Sequence, residues 1–148
     1  MNLDGLYQQI ILDHYKNKVG YGLTPGGEVS HQYNPTCGDE IELQVRLSED
    51  GTTVTGIEWE GKGCSISQAS ASMLAQESKG MTIAEFEEFA GGFREAMRSR
   101  GEIALDEEEY GDLASLSGVS KFVARVKCAM LAWVAAEDSL ARTRGSLN

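Results

Sequence analysis

The sequence predicts a single α+β domain in which helices pack against a small antiparallel sheet of about three strands. Three observations favour this class. An amphipathic pattern fills residues 3–17, an alternation of polar and apolar residues fills 40–47, and a run of apolar or small residues fills 126–136. The chain has 148 residues, the usual length of one domain, and we assign residues 1–148 to that domain.

The first helix is predicted over residues 3–17, where apolar side chains recur at spacings of three and four and form one face. Glycines and a proline interrupt regular structure over residues 20–27, and a first strand is expected at about 28–33. The segment 40–47 is the clearest strand, because its alternation of polar and apolar residues suits a strand with one buried face and one face exposed to solvent.

A turn and a second alternating run over residues 54–60 predict a hairpin. Ile57 and Trp59 share a face in this run, whereas Val54 is out of phase with them. Gly56 lies between, and we interpret it as the mark of a bulge that restores the register. Trp59 is expected in the core.

Two helices are predicted next. Small residues after Cys64 allow a helix to pack close to the sheet, until Gly80 ends it. Thr82 and Glu85 have the spacing of a capping box, which opens a helix that runs to about residue 98. A Gly-Gly pair at 91–92 weakens the expectation that this helix is continuous, since each glycine costs about 1 kcal/mol relative to alanine.

The C-terminal part is predicted to hold an excursion and a buried helix. Residues 101–118 are acidic, rich in glycine and weakly periodic, so we expect a long excursion with one short helical turn. The last helix is expected to begin near residue 120 and to form the centre of the core, because residues 126–136 are apolar or small on nearly every side.

The composition argues against two classes of partner. The chain has 23 acidic and 13 basic side chains, and the resulting net charge of −10 repels phosphate backbones, so we expect no nucleic acid. No stretch approaches the ~20 apolar residues that span a bilayer, and we expect no membrane partner. The N-terminus lacks the basic start and apolar block of a secretory signal, which predicts a cytoplasmic protein.

Three cysteines cannot all pair within one molecule, and a reducing cytoplasm disfavours disulfides. Cys37 and Asp39 precede the clearest strand, Cys64 lies at the junction of a strand and a helix, and Cys128 lies within the last helix. Gly38 between the first two permits backbone angles that would let both turn toward one ion. Three thiolates and one carboxylate give the four ligands that zinc prefers.

Other interpretations of these residues remain open. Cys128 in an apolar helix is equally compatible with a small buried hydrophobic residue, and Cys64, directly after Gly63, with close packing alone. The two histidines, His14 and His31, are the only candidates for a histidine ligand or base. His14 is expected to have a surface or helix-packing role. His31 could approach the cysteines from the first strand, but this is the less favoured interpretation of His31.

The cysteine motifs together resemble the IscU-like family, and within it the zinc-dependent SufU type. The resemblance rests on residues 6–7, 11–15, 34–39, 63–67 and 125–129. It covers nearly the whole chain, with the three cysteine motifs in the order of the family. It implies an α+β fold and a Zn²⁺ ion on Cys37, Asp39, Cys64 and Cys128.

The resemblance also implies a sulfurtransferase that works with a SufS-type cysteine desulfurase, a pyridoxal-phosphate enzyme. The desulfurase forms a persulfide, Cys37 attacks its outer sulfur, and the sulfur then passes to a cluster scaffold such as SufBCD or to a reductant. Arg125 matches an arginine of the SufU motif. We expect Arg125 and Lys127 to contact the desulfurase, with an ordinary ion pair as the alternative for Arg125.

Two alternatives remain beside sulfur transfer. A scaffold of the IscU type would bind a nascent iron–sulfur cluster on Cys37, Cys64 and Cys128, and a purely structural zinc domain would serve as an adaptor. Scaffold-type relatives carry a histidine directly before the third cysteine, where this chain has Lys127. They also lack the acidic insertion at about 101–118. Both features favour the sulfurtransferase.

Overall fold

Two hairpins join three strands into one antiparallel sheet of order β1–β2–β3. This computed structural model describes residues 4–36 and 38–146. Within them the strands are β1 Ser30–Asn34, β2 Asp39–Leu47 and β3 Val54–Lys62. The α+β class and the three-stranded sheet expected from the sequence are confirmed.

Alternation along β2 buries Ile41, Leu43 and Val45 on one face of the sheet. The outer edge of β3 is covered in part by the loop at residues 20–22, which hydrogen-bonds to both backbone groups of Trp59 at 3.0 and 2.8 Å. Such cover satisfies backbone groups that an open edge strand would leave exposed to other chains. Trp59 is fully buried, and its indole donates to the Val19 carbonyl at 2.8 Å.

The predicted bulge is present in β3. Arg46 pairs with Gly56, but the next residue, Leu47, pairs with Val54, so Thr55 is the extra residue. An extra residue moves the following side chains to the other face. Val54 is thereby returned to the buried face of the strand, where it is fully enclosed.

Helices form the second layer of the domain. In the described part of the chain they are α1 Asp4–Asn17, α2 Ser65–Ser78, α3 Ile83–Arg98, α4 Glu107–Tyr110 and α5 Val123–Ser146. Both α2 and α5 pack against the sheet. None of the helices in the described ranges combines the length and apolar character that a membrane-spanning helix requires.

Small residues let α2 pack close to β3, as the sequence predicted, and also let α2 and α5 approach each other closely. The Ser70 hydroxyl donates to the Ala129 carbonyl at 2.7 Å, and the Trp133 indole donates to the Ser70 hydroxyl at 3.1 Å. Most side chains of α5 between residues 128 and 136 are buried, although Val134 is exposed. The expectation that this helix forms the centre of the core is confirmed.

The capping box of α3 is also confirmed. Thr82 accepts from the Glu85 amide, and the Glu85 carboxylate accepts from the Thr82 amide. The helix continues through Gly91 and Gly92 without a break. A Cβ at Gly92 would overlap the Tyr110 hydroxyl, so this glycine is explained by close packing and not by a break in the helix.

The segment after α3 is more ordered and more buried than the sequence predicted. A 3₁₀ segment, Gly111–Lys121, follows α4 and delays the start of α5 to Val123, about three residues later than expected. Leu113, Leu116 and Val119 recur every third residue and are all buried. This is the period of a 3₁₀ helix, in which residues three apart share a face. The expectation of one short helical turn was wrong, whereas the proposed insertion at 101–118 stays a prediction.

His14 is buried and joins α1 to two other elements through hydrogen bonds, which agrees with the expected helix-packing role and not with the surface alternative. Its Nδ1 lies 2.7 Å from the Ser72 hydroxyl, and its Nε2 lies 2.9 Å from Oδ2 of Asp112. The Val19 amide donates to the same Ser72 hydroxyl at 2.8 Å. The bond from His14 holds the pKa of Asp112 below its usual value, with Gln76 contributing and partial burial opposing.

We expect His14→Ala to lower the free energy of unfolding by about 1–3 kcal/mol, because the change leaves buried hydrogen-bonding groups without their partner. The lowered pKa of Asp112 contributes stability above the unfolded pKa of about 4 that is lost as the pH falls through the folded pKa. His14→Ala should therefore also flatten the acid limb of a plot of stability against pH.

The matched control is His31→Ala, because His31 is exposed and its ring bonds to the side chain of Glu40. Its free energy of unfolding should stay within about 0.5 kcal/mol of the parent in urea denaturation. Equal losses in the two variants would contradict a specific role for His14.

Candidate metal centre

Three of the four predicted ligands meet at one end of the sheet. Asp39 opens β2, Cys64 is the N-cap residue of α2, and Cys128 lies in the second turn of α5. One ligand atom from each lies within 4.8 Å of the others. Residues separated by 25 and 64 positions in sequence thus form one cluster, which the sequence analysis required for a metal site.

Cys37, the fourth predicted ligand, lies outside the described residues. Its neighbours belong to the turn between β1 and β2: the Thr36 amide donates to Oδ1 of Asn34 at 3.0 Å, and the Gly38 amide donates to the Asn34 carbonyl at 2.8 Å. Gly38 has φ +75°, a conformation that favours glycine. Gly38 thus adopts a backbone angle of the kind that the sequence analysis expected glycine to permit, whereas the turning of Cys37 toward an ion stays a prediction.

The Asp39 carboxylate is buried, with 1% of its surface exposed. Its Oδ1 accepts the Cys64 backbone amide at 2.8 Å, and its Oδ2 lies 3.4 Å from the Cys64 sulfur. A carboxylate is rarely buried unless it is hydrogen-bonded and paired with a cation or metal. The two oxygens therefore differ in role: one is held by the backbone, and the other is directed to a sulfur of the cluster.

One separation within the cluster and the types of its donor atoms suit a zinc ion. Zn–S bonds of about 2.3 Å and Zn–O bonds of about 2.0 Å in a tetrahedron place sulfur and oxygen ligands about 3.5 Å apart. The observed separation between Cys64 Sγ and Asp39 Oδ2 is 3.4 Å. Thiolates favour zinc over harder cations such as magnesium. Asp39, Cys64 and Cys128 would hold the ion.

Among the three described ligands, exposure is unequal. Cys64 is exposed, whereas Cys128 is buried and its thiol lies 3.5 Å from the Ala124 carbonyl. Ligands of differing exposure are typical of a site that admits a reactant, because structural zinc sites are usually closed by protein. The exposed thiol gives a partner or substrate access to the cluster.

The two predicted partner-binding residues, Arg125 and Lys127, are both exposed on the first turns of α5. The guanidinium carbon of Arg125 lies 4.9 Å from the centroid of the Phe122 ring, a cation–π contact. Phe122 is itself 51% exposed. Contact of Arg125 and Lys127 with a desulfurase stays a prediction.

His31 is not part of the cluster formed by the described ligands. Its Nε2 lies 2.6 Å from Oε2 of Glu40. This bond, together with charge from His31 and the nearby Lys62, keeps the pKa of Glu40 below its usual value. The interpretation of His31 as a ligand gains no support from this arrangement.

Sequence reasoning missed two residues that contact the Cys64 loop. The Ser67 hydroxyl donates to the Cys64 carbonyl at 3.0 Å and lies 3.9 Å from the Cys64 sulfur. The side-chain amide of Gln68 donates through Nε2 to the Gly63 carbonyl at 2.9 Å. Their positions three and four residues after Cys64 were the available signal, because side chains at this spacing return to the same face of a helix start.

Comparison with known families decides the classification. The family model described as the NifU-like N terminal domain matches residues 6–129. The chain belongs to this family. The sequence-based assignment to IscU-like proteins is thereby confirmed.

Relatives within the NifU-like family carry two kinds of name. The chain is 45% identical over 144 residues to the zinc-dependent sulfurtransferase SufU of Bacillus subtilis, covering 97% of this chain and 95% of that protein. It is 36% identical over 141 residues to the iron–sulfur cluster assembly scaffold protein IscU of Streptococcus pyogenes, covering 95% and 86%.

A solved structure within the NifU-like family confirms the fold. It is a protein of Fervidobacterium islandicum AW-1, described as an iron–sulfur cluster assembly scaffold protein for the SUF system. It is 29% identical to this chain and superposes with a TM-score of 0.79 over 94% of this chain and 99% of that chain.

We expect Gly63→Ala to weaken zinc binding at least about tenfold, the scale of changes next to metal ligands. Gly63 has φ +140°, and a Cβ there would overlap Oδ1 of Asp39 and lie 2.9 Å from its Cα. The methyl group would therefore displace the carboxylate. The measurement is competition with a chromophoric chelator.

Gly91→Ala is the control, because a Cβ at this helical position meets nothing within 4 Å. Its zinc affinity should equal that of the parent. An unchanged affinity in Gly63→Ala would mean that Asp39 is not a ligand.

Proposed function

We propose that this chain is a zinc-dependent sulfurtransferase for iron–sulfur cluster assembly. It accepts persulfide sulfur on Cys37 from a SufS-type cysteine desulfurase and passes it on, in the reducing cytoplasm. The observation that carries this proposal is the convergence of Asp39, Cys64 and Cys128 within 4.8 Å. It occurs in a chain that is 45% identical to a zinc-dependent sulfurtransferase.

The proposed ligand set is Cys37, Asp39, Cys64 and Cys128, and Cys37 is also the sulfur acceptor. Cys37 lies two positions before Asp39 in the chain, and its neighbours Thr36 and Gly38 form the turn that leads into β2. A bound zinc ion keeps cysteine ligands deprotonated at neutral pH. The thiolate is the form in which a cysteine attacks sulfur.

The proposed transfer balances in atoms and electrons. The Cys37 thiolate attacks the outer sulfur of the desulfurase persulfide, and a new S–S bond forms as the donor S–S bond breaks. The desulfurase leaves as a thiolate and Cys37 carries the persulfide, so the step needs no external oxidant. A scaffold such as SufBCD then receives the sulfur by a second exchange, or a thiol reductant releases it as sulfide.

We propose that Arg125 and Lys127 contact the desulfurase. Both are exposed, and both lie within three residues of Cys128 on α5. They present positive charge beside the metal centre of a chain whose net charge is −10. Local charge of opposite sign to the rest of a surface can orient an approaching partner.

The desulfurase reaction tests this function directly. Adding the chain to a SufS-type desulfurase with cysteine should increase alanine production, because sulfur accepted by Cys37 frees the desulfurase for another turnover. Cys37→Ala should abolish the increase. In the parent protein, mass spectrometry should find one additional sulfur on the peptide that contains Cys37.

Thr36→Ala is the matched control beside the acceptor. Its side chain is exposed, and the hydrogen bond of Thr36 in the turn uses the backbone amide, which alanine retains. This variant should stimulate as the parent does. If Cys37→Ala stimulates equally well, the transfer role is wrong.

The second candidate function is a scaffold that binds a nascent cluster on Cys37, Cys64 and Cys128. The similarity to IscU of Streptococcus pyogenes favours it, at 36% identity over 141 residues. Anaerobic reconstitution with iron and sulfide separates the two functions. A stable visible cluster that moves to an apo-acceptor, without stimulation of the desulfurase, would select the scaffold.

A further inference from the structure

Gln68 lies in the first turns of α2, and its side chain reaches back to the loop before the helix. It is buried, with 7% of its surface exposed. Its Nε2 donates to the Gly63 carbonyl at 2.9 Å. Because the Gly63 carbonyl oxygen can only accept a hydrogen bond, the side-chain amide of Gln68 must turn its nitrogen, and not its oxygen, toward Gly63.

The Gly63 carbonyl and the Cys64 amide belong to one planar peptide unit. In a trans peptide these two groups point in opposite directions, so a rotation of one rotates the other. The oxygen of this unit is held by Gln68 at 2.9 Å, and its N–H is held by Oδ1 of Asp39 at 2.8 Å. A chain of hydrogen bonds therefore runs from Gln68 through the peptide to the carboxylate.

The glycine at position 63 makes these two hydrogen bonds to the Gly63–Cys64 peptide necessary. Gly63 has φ +140°, and a Cβ at this position would overlap the Asp39 carboxylate. The close approach requires glycine, but glycine also leaves the adjoining peptide the largest range of orientations. Contacts from outside the loop must then select one orientation.

We propose that Gln68 is a positioning residue of the metal centre. Through the Gly63–Cys64 peptide it holds Oδ1 of Asp39, so that Oδ2 is presented toward the Cys64 sulfur, 3.4 Å away. This inference rests on the proposed function, because it assigns Asp39 as a zinc ligand. It adds the side chain of Gln68, which is not itself a ligand, as the group that orients the Asp39 carboxylate toward the zinc ion.

The start of α2 does not depend on the Gln68 side chain. The Gln68 backbone amide donates to the Cys64 carbonyl at 3.3 Å, and the Ser67 hydroxyl donates to the same carbonyl at 3.0 Å. Both contacts remain when the side-chain amide is removed. The specific effect of the amide therefore falls on the Gly63 carbonyl and the groups beyond it.

The test replaces Gln68 with methionine, which keeps the length of the side chain and removes the donor. Cobalt(II) serves as the probe, because its visible absorption reports the ligands and their geometry. We expect Gln68→Met to weaken cobalt and zinc binding about tenfold, as changes to residues that orient metal ligands do. The ligand-field bands should shift, while the thiolate-to-cobalt charge-transfer band persists.

Gln44→Met is the matched control. Gln44 is also a buried glutamine, but it lies in β2, and its Nε2 donates to the Thr24 carbonyl at 2.8 Å. This variant should bind cobalt with the affinity and spectrum of the parent, whatever its effect on stability. Equal weakening in both variants would overturn the proposal, because it would reflect a general loss of core packing.

A second variant covers the case in which Gln68→Met does not fold. Gln68→Asn keeps the amide but is one methylene too short to reach the Gly63 carbonyl, and it should show the same loss of affinity. If a folded Gln68 variant keeps the parent affinity and spectrum, Gln68 does not position Asp39. A parent protein that binds neither zinc nor cobalt would instead contradict the proposed function itself.

Discussion

The hydrogen bond between the Cys64 amide and the Asp39 carboxylate is the contact on which the site depends. At 2.8 Å it ties the first residue of β2 to the residue that caps α2. The carboxylate is almost fully buried, which is costly for an isolated charge. A cation held by the neighbouring sulfurs would offset this cost, and metal binding would then be coupled to the packing of sheet against helix.

The mixture of ligands suits a centre that must react. As a ligand, Asp39 would supply a hard oxygen among softer sulfurs, and such a set would hold a zinc ion less tightly than four thiolates. Cys128 is buried in the helical layer, whereas Cys64 is exposed. The described part of the cluster thus combines a buried thiol with an exposed one, and Cys37 lies two positions before Asp39 in the chain. A sulfur acceptor requires this combination of retention and access.

The sequence was sufficient where local chemistry decides the structure. Alternation predicted β2, and the phase error at Val54 predicted the bulge. The ligand motifs predicted that Asp39, Cys64 and Cys128 would meet, whereas the place of Cys37 stays a prediction. Long-range contacts could not be anticipated: His14 bonds residues 58 and 98 positions away. The 3₁₀ segment was missed because its buried residues repeat every three positions and not at the 3.6-residue period of an α-helix. The contact of Gln68 with Gly63 depends on a backbone orientation that composition does not reveal.

Metal analysis of the chain, purified without added metal, tests the central claim most directly. The account predicts about one zinc ion per chain, with much less in Cys64→Ser and Cys128→Ser because serine is a poorer zinc ligand. Thr36→Ala should retain the full amount. A metal-free native preparation, or full zinc content in both serine variants, would contradict the account.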